Sequence, residues 1–109
     1  MPTVYRVLGQ SAPSATTATT IYTVPSSTQT VVSSITVCNR SASNATYRIS
    51  IRPDGAVLAN QHYLIYDAQV LANDTVTLTL GITMDAADVL EVYASSAEIS
   101  FNLFGSEIS

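Results

Sequence analysis

Cys38 and His62 are the only cysteine and the only histidine in the chain, and together they are the one pairing here that could make a nucleophile. A thiol attacks once a neighbouring imidazole has taken its proton, and a third group must orient that imidazole. The sequence supplies no third group. The plainer reading is a small apolar Cys38 buried in a central strand, with His62 on an unrelated strand. Asp85 and Asp88, with Asp74 or Asp54, are the candidates for calcium. A calcium loop needs several close oxygen ligands and usually a glycine for its turn. Asp85-x-x-Asp88 reads instead as the acidic edge of a β-turn. No catalytic, cofactor-binding or metal-ligating residue is assigned on these grounds, and no enzymatic activity is expected.

His62, Tyr63, Tyr66 and Asp67 make the best cluster for a carbohydrate. Sugars stack on aromatic faces and take polar contacts at their rims. In a regular strand, however, Tyr63 and Tyr66 have opposite parity and cannot line one groove. The chain also has no Trp. Asn39-Arg40-Ser41, Asn44-Ala45-Thr46 and Asn73-Asp74-Thr75 match the glycosylation sequon. Such matches arise by chance in a chain rich in Asn, Ser and Thr, and they carry no weight without a secretory signal.

The elements that must position these residues all read as β. Val4–Leu8 is a short β-prone run ended by Gly9. Ser11–Thr20 is rich in Ser, Thr, Ala and Pro with no apolar period, so it reads as a loop or as an extended arm reaching a neighbouring subunit. Ile21–Val24 is a strand stopped by Pro25. Gln29–Asn39 is the longest candidate. Val31, Ile35 and Val37 share one parity, Val32 and Cys38 the other, which predicts a central strand or one facing a partner.

Thr46–Arg52 alternates cleanly, with Tyr47, Ile49 and Ile51 on one side and Arg48 and Arg52 on the other. Pro53-Asp54-Gly55 is a turn. Ala56–Gln61 is a loop or one helical turn, and His62–Tyr66 is a further strand. Thr75–Leu80 alternates again, with Val76, Leu78 and Leu80 inward, until Gly81 breaks it. Val89–Ala94 and the run through Ile99, Phe101 and Leu103 complete the pattern. About eight strands with turn signals between them predict one domain over 1–109, an antiparallel β-sandwich of jelly-roll or immunoglobulin-like type. Tyr47, Ile49, Ile51, Val76, Leu78, Phe101 and Leu103 are its expected core.

Composition narrows the function. Charged residues are 11% of the 109, and none is Lys. A soluble domain usually carries about 25%. Ser and Thr cover the polar faces instead, and such a surface suits packing against copies of itself. The net charge of −4, from four Arg (Arg6, Arg40, Arg48, Arg52) against eight acids, argues against a nucleic-acid partner, which would need a basic stripe. Only Arg48 and Arg52 could share a strand face. A lone cysteine excludes an internal disulfide and fits a reducing cytoplasm. The start, Met1 to Arg6, does not read as a signal peptide, and no apolar run approaches the ~20 residues of a membrane span.

Several stretches, taken in order, carry a likeness. They are Val7-Leu8-Gly9-Gln10, Thr20-Ile21-Tyr22-Thr23-Val24-Pro25 and the run from Val31-Val32-Ser33-Ser34 to Val37-Cys38-Asn39-Arg40. Then come Ala72-Asn73-Asp74-Thr75, Gly81-Ile82-Thr83, Asp88-Val89-Leu90-Glu91-Val92-Tyr93-Ala94-Ser95 and Ser100-Phe101-Asn102-Leu103-Phe104-Gly105. Over nearly its whole length the chain resembles small virion structural proteins of tailed bacteriophages. The resemblance implies a compact β-sandwich, often trimeric, that decorates a capsid or builds fibres and collars around the tail. It implies no catalytic or metal-binding residue. The expectation is therefore a non-enzymatic virion part of the tail, neck or baseplate, assembled in the bacterial cytoplasm as a homotrimer against other virion proteins. A capsid decoration protein and a module recognising host-surface glycans are the alternatives.

Overall fold

The computed structural model describes residues 2–109. It contains nine strands: β1 (Thr3–Ser11), β2 (Thr19–Thr23), β3 (Gln29–Asn39), β4 (Ala45–Arg52), β5 (Tyr63–Val70), β6 (Thr75–Leu78), β7 (Ile82–Met84), β8 (Val89–Ala94) and β9 (Ile99–Ile108). Two short 3-10 turns, Pro53–Gly55 and Asn60–His62, lie between β4 and β5. One sheet has the order β1-β9-β3-β6, with β7 also on β3; the other has the order β2-β8-β4-β5. Every pairing is antiparallel. The two sheets form a β-sandwich.

β6 and β7 continue one another along β3, beside Ile35–Cys38 and Thr30–Val32 respectively. Counted as one interrupted strand, they leave eight, and the two sheet orders are then those of a jelly roll. The ninth strand, Ile82–Met84, is the one that sequence reading does not find. Gly81, at φ +62, ends the first half. Leu80, expected inward, lies outside both strands and is 46% exposed. Thr79–Gly81 leaves the ladder there, so the alternation of Thr75–Leu78 stops short of it.

Phe101 and Leu103 from β9, Ile35 and Val37 from β3, Ile49 from β4 and Leu90 from β8 fill the space between the sheets. Tyr47 meets Phe101 edge to face across it, with centroids 6.3 Å apart. Of the expected core, Tyr47, Ile49, Phe101 and Leu103 are buried, while Ile51, Val76 and Leu78 are partly buried against it.

The expectation of apolar residues on both faces of β3 is corrected by a bulge. Val32 pairs with Gly105 but Ser34 with Phe104, so Ser33 is an extra residue on β3. One inserted residue exchanges the faces beyond it. Val32 therefore points inward with Ile35 and Val37, all three fully buried. The outward residues are Val31, Thr36 and Cys38, half-buried. No partner subunit is needed to cover Val32. Cys38 is likewise not a core residue: it sits between Ser100 and Thr75 on the outer face.

The segment read as a loop or arm at 11–20 begins in β1 and ends in β2. Between them Pro13 is buried, and the Thr16 N–H donates to Ala94 O at 2.8 Å. The connection thus lies along the sandwich of its own chain.

Candidate functional site

The outer face of the second sheet carries the richest side-chain cluster. It is built around Arg48, which lies outward on β4 opposite Tyr93 of β8. On the other side β5 is irregular. Tyr47 pairs with Ala68 and Ile49 with Ile65, so Arg48 alone faces two residues, Tyr66 and Asp67. Asp67 takes a left-handed φ of 54°, which an Asp side chain tolerates better than most. The bulge turns both residues toward one guanidinium.

Both are used. Arg48 Nε donates to Asp67 Oδ1 at 2.6 Å and Nη2 to Oδ2 at 3.3 Å. The guanidinium carbon lies 4.1 Å from the Tyr66 ring centre and 4.2 Å from that of Tyr93. A flat, delocalised cation can stack on both rings while its edge donates to the carboxylate, which an ammonium does less well. The hydrogen bond from Arg48 holds the Asp67 carboxyl below its usual range, and that same bond raises the Arg48 pKa. The pair leaves the patch without net charge.

A second irregularity follows. Ile49 pairs with Ile65 but Ser50 pairs with Tyr63, so Leu64 is also an extra residue on β5. The insertion of Leu64 between Tyr63 and Tyr66 undoes the parity argument made from sequence. Tyr63 and Tyr66 share the outer face, and their rings meet edge to face at 4.9 Å and 86°. With Asn60 from the preceding turn they line a concavity of about 300 Å³. Tyr66 is 58% exposed. Of the carbohydrate cluster expected from sequence, Tyr63, Tyr66 and Asp67 thus come together. His62 plays another part: its Nδ1 accepts the Ala59 N–H at 3.0 Å and closes the turn that carries Asn60. Arg48 and Tyr93 complete the cluster. The sequence alternation places Arg48 on this outward face but gives it no partner.

The other candidates are kept apart or committed. Cys38 belongs to the first sheet and His62 to the turn before β5 of the second, so they form no dyad. Asp88 accepts the Asp54 N–H on Oδ1 at 2.8 Å and the Asp85 N–H on Oδ2 at 2.9 Å. Asp85 accepts the Ala86 N–H and Asp74 the Thr75 N–H, each at 2.8 Å. These carboxylates fasten turns. Among the described residues no three His, Cys, Asp or Glu gather as metal ligands would. Of the sequon residues, Asn39 is buried, Asn44 accepts the Ala72 N–H, and Asn73 holds a left-handed turn position.

One buried polar group joins the two sheets. The Tyr22 hydroxyl donates to Glu107 Oε2 at 2.5 Å and lies 2.8 Å from Thr30 Oγ1, while Arg6 Nη1 stands 3.4 Å from Glu107 Oε1. Burial first, and the carboxylate of Glu107 second, push the Tyr22 phenol up to about 12. A raised phenol pKa means that the unfolded chain loses this proton first, near 10. Its contribution to stability is therefore whole below pH 10 and is lost as pH rises toward 12. At about 1.4 kcal/mol per pH unit, the interval from 10 to about 12 amounts to about 3 kcal/mol at most. Urea denaturation across this range should show the decline, and Tyr22→Phe should flatten it. A slope identical in the two proteins would contradict the assignment. Burial raises the Tyr47 phenol too, so phenolate absorbance should show late-ionising tyrosines that survive the Tyr22→Phe change.

No protein-family model matches this chain, and no curated protein matches it either.

Proposed function

We propose that the chain is a non-enzymatic structural part of a tailed-bacteriophage virion. It serves as a repeated fibre, collar or baseplate-associated component of the tail or neck, and acts as a homotrimer. The observation that carries this reading is the first half of β1. That strand is an edge of its sheet, with its outer backbone groups free to pair. Thr3–Val7 is exposed on both faces, where Val4, Tyr5 and Val7 are the large apolar residues, Tyr5 at 82%. An apolar edge open on both sides suits a contact with another copy, and identical subunits usually close into a symmetric ring.

Other features support the reading. Few charges lie on the chain, so a close contact would bury few that are unpaired. Arg6 is already matched by Glu107, and Arg52 by Glu91. The chemistry-capable side chains hold turns and strands rather than a reacting centre. The resemblance to small phage virion proteins favours three copies and gives the setting, a virion assembled in the bacterial cytoplasm.

Light scattering at micromolar concentration tests it. A trimer is expected, and Tyr5→Ser with Val7→Ser should give a folded monomer by circular dichroism. A wild-type chain that stays monomeric would overturn the oligomer. Labelled antibody should mark the neck, tail or baseplate of the particle. Label at capsid threefold points would make the protein a decoration protein, and an unlabelled particle would refute a virion role.

A further inference from the structure

The geometry points to a binding site for a neutral saccharide at the corner formed by Asn60, Tyr63 and Tyr66. This inference stands apart from the virion reading and uses a different face of the molecule. Aromatic rings are often placed on strand surfaces simply to shield the sheet. Here the chain does more than shield. One residue, Leu64, is inserted into β5 between Tyr63 and Tyr66 and brings them to the same side, and the bulge at Tyr66-Asp67 turns Asp67 outward onto Arg48 as well. The product is two rings set almost at right angles, with an amide side chain at their rim.

The rings are held before any ligand arrives. Arg48 is stacked on Tyr66 and Tyr93 and clamped in two places by Asp67. Exposed tyrosines lose side-chain freedom when they bind, and a ring already fixed loses less. Arg48 is therefore a positioning residue. Its hydrogen bonds to Asp67 and its two stacked rings leave it little to offer a ligand.

The chemistry of the corner selects the ligand class. Arg48 and Asp67 neutralise each other, so the patch has no net charge with which to attract an ion. Ring faces carry negative partial charge and attract polarised C–H groups. Two phenols and one primary amide can both donate and accept hydrogen bonds. Among the described residues none of these three side chains hydrogen-bonds within the chain, whereas Asp67 and His62 beside them do. A ligand that suits the corner has an apolar C–H face, a ring of hydroxyls and no charge. A pyranose has all three. The volume of about 300 Å³ is at the lower limit for small-molecule sites and admits a short glycan end rather than a long buried chain.

The test is an NMR shift titration of the full chain with the methyl glycosides of glucose, galactose and N-acetylglucosamine. Choline and acetate serve as charged controls. At least one glycoside should give saturable shifts confined to Asn60, Tyr63, Tyr66 and their neighbours, with millimolar affinity. Tyr63→Ala should weaken binding about tenfold or more, as expected for loss of a stacking wall. Tyr66→Phe, which keeps the ring and removes the hydroxyl, should weaken it less. Tyr63→Phe provides the folded comparison if Tyr63→Ala is unstable. No saturable shift with any glycoside would overturn the inference. So would shifts that persist unchanged in the Tyr63 variants, or stronger binding of choline or acetate. If the glycosides do nothing but Tyr63→Ala or Tyr63→Phe changes the sedimentation of the protein, the corner is a subunit contact and the inference fails. The virion reading, tested at Tyr5 and Val7, survives that result.

Discussion

Asn39→Ala should lower the free energy of unfolding by about 3 kcal/mol or more, read as a large fall in the urea midpoint. Asn39 is the last residue of β3 and is 1% exposed. Its Nδ2 donates to Ser43 O at 2.8 Å and also reaches Leu71 O at 3.2 Å and Val70 O at 3.3 Å. Its Oδ1 accepts the Ser41 N–H at 3.0 Å. One amide thus ties the turn after β3 to the end of β5. Truncation leaves the buried Val70 carbonyl and partly buried backbone groups of Ser41, Ser43 and Leu71 without this partner, each costing up to about 1–3 kcal/mol, with some relief from water. Asn39→Asp separates this cause from lost packing. It keeps the shape but replaces the donor with a carboxylate facing carbonyl oxygens. At neutral pH it should be at least as damaging as Asn39→Ala. Its deficit relative to wild type should shrink at low pH, when the carboxyl takes up a proton and regains one donor. An Asn39→Asp protein as stable as wild type at neutral pH would show that the donors do not matter.

Gly105→Ala should be more damaging still and is expected to prevent soluble folding. Gly105 lies in β9, between Arg6 of β1 and Val32 of β3. A Cβ there would stand 2.0 Å from Val31 O and 3.0 Å from Leu8 Cδ1. The first distance is far inside van der Waals contact, and the atom it meets belongs to the backbone of the central strand. The bulge at Ser33 immediately follows this place, and β1 has its own extra residue at Leu8. Relief requires moving β3 against β9, the longest pairing in the fold. Overpacking ordinarily costs about 1–3 kcal/mol, and a clash with an immobile backbone belongs above that range. Gly81→Ala is the control. Gly81 has a left-handed φ of +62 but nothing within 4 Å of its would-be Cβ. It should lose only about 1 kcal/mol, from backbone strain. Equal stability of the two variants would refute the close approach at Gly105.

These two residues differ in how visible they are from sequence. In sequence Asn39 is only the end of the Gln29–Asn39 strand and the first residue of a sequon. Nothing local shows that its amide is buried, because its partners at Val70 and Leu71 are brought to it by the fold. In sequence Gly105 merely follows the alternating run Ile99, Phe101 and Leu103, although β9 runs through it to Ile108. A glycine that ends a strand and one that permits close approach look alike in one chain. Leu80 failed for a related reason. Its alternation in sequence continues past the point where the ladder with β3 stops.

The alternation of Thr46–Arg52 determined by itself that Tyr47 and Ile49 are core and that Arg48 and Arg52 face outward. The turn signals at Pro25, Pro53-Asp54-Gly55 and Gly81 determined an all-β domain of short antiparallel strands. These follow from the two-residue period of a strand and the dihedral limits of proline and glycine, which act locally. Tertiary structure alone decided which face is which after an interruption. Ser33, Leu64 and the Tyr66-Asp67 pair are ordinary strand residues in sequence. Each becomes a bulge only because the partner strand has one residue fewer between two fixed pairings. One such residue sends Val32 inward and removes the apparent second apolar face of β3. Leu64 sets Tyr63 beside Tyr66, and the Tyr66-Asp67 bulge brings Asp67 onto Arg48. The candidate site depends on register, and register is a property of two strands, not of one.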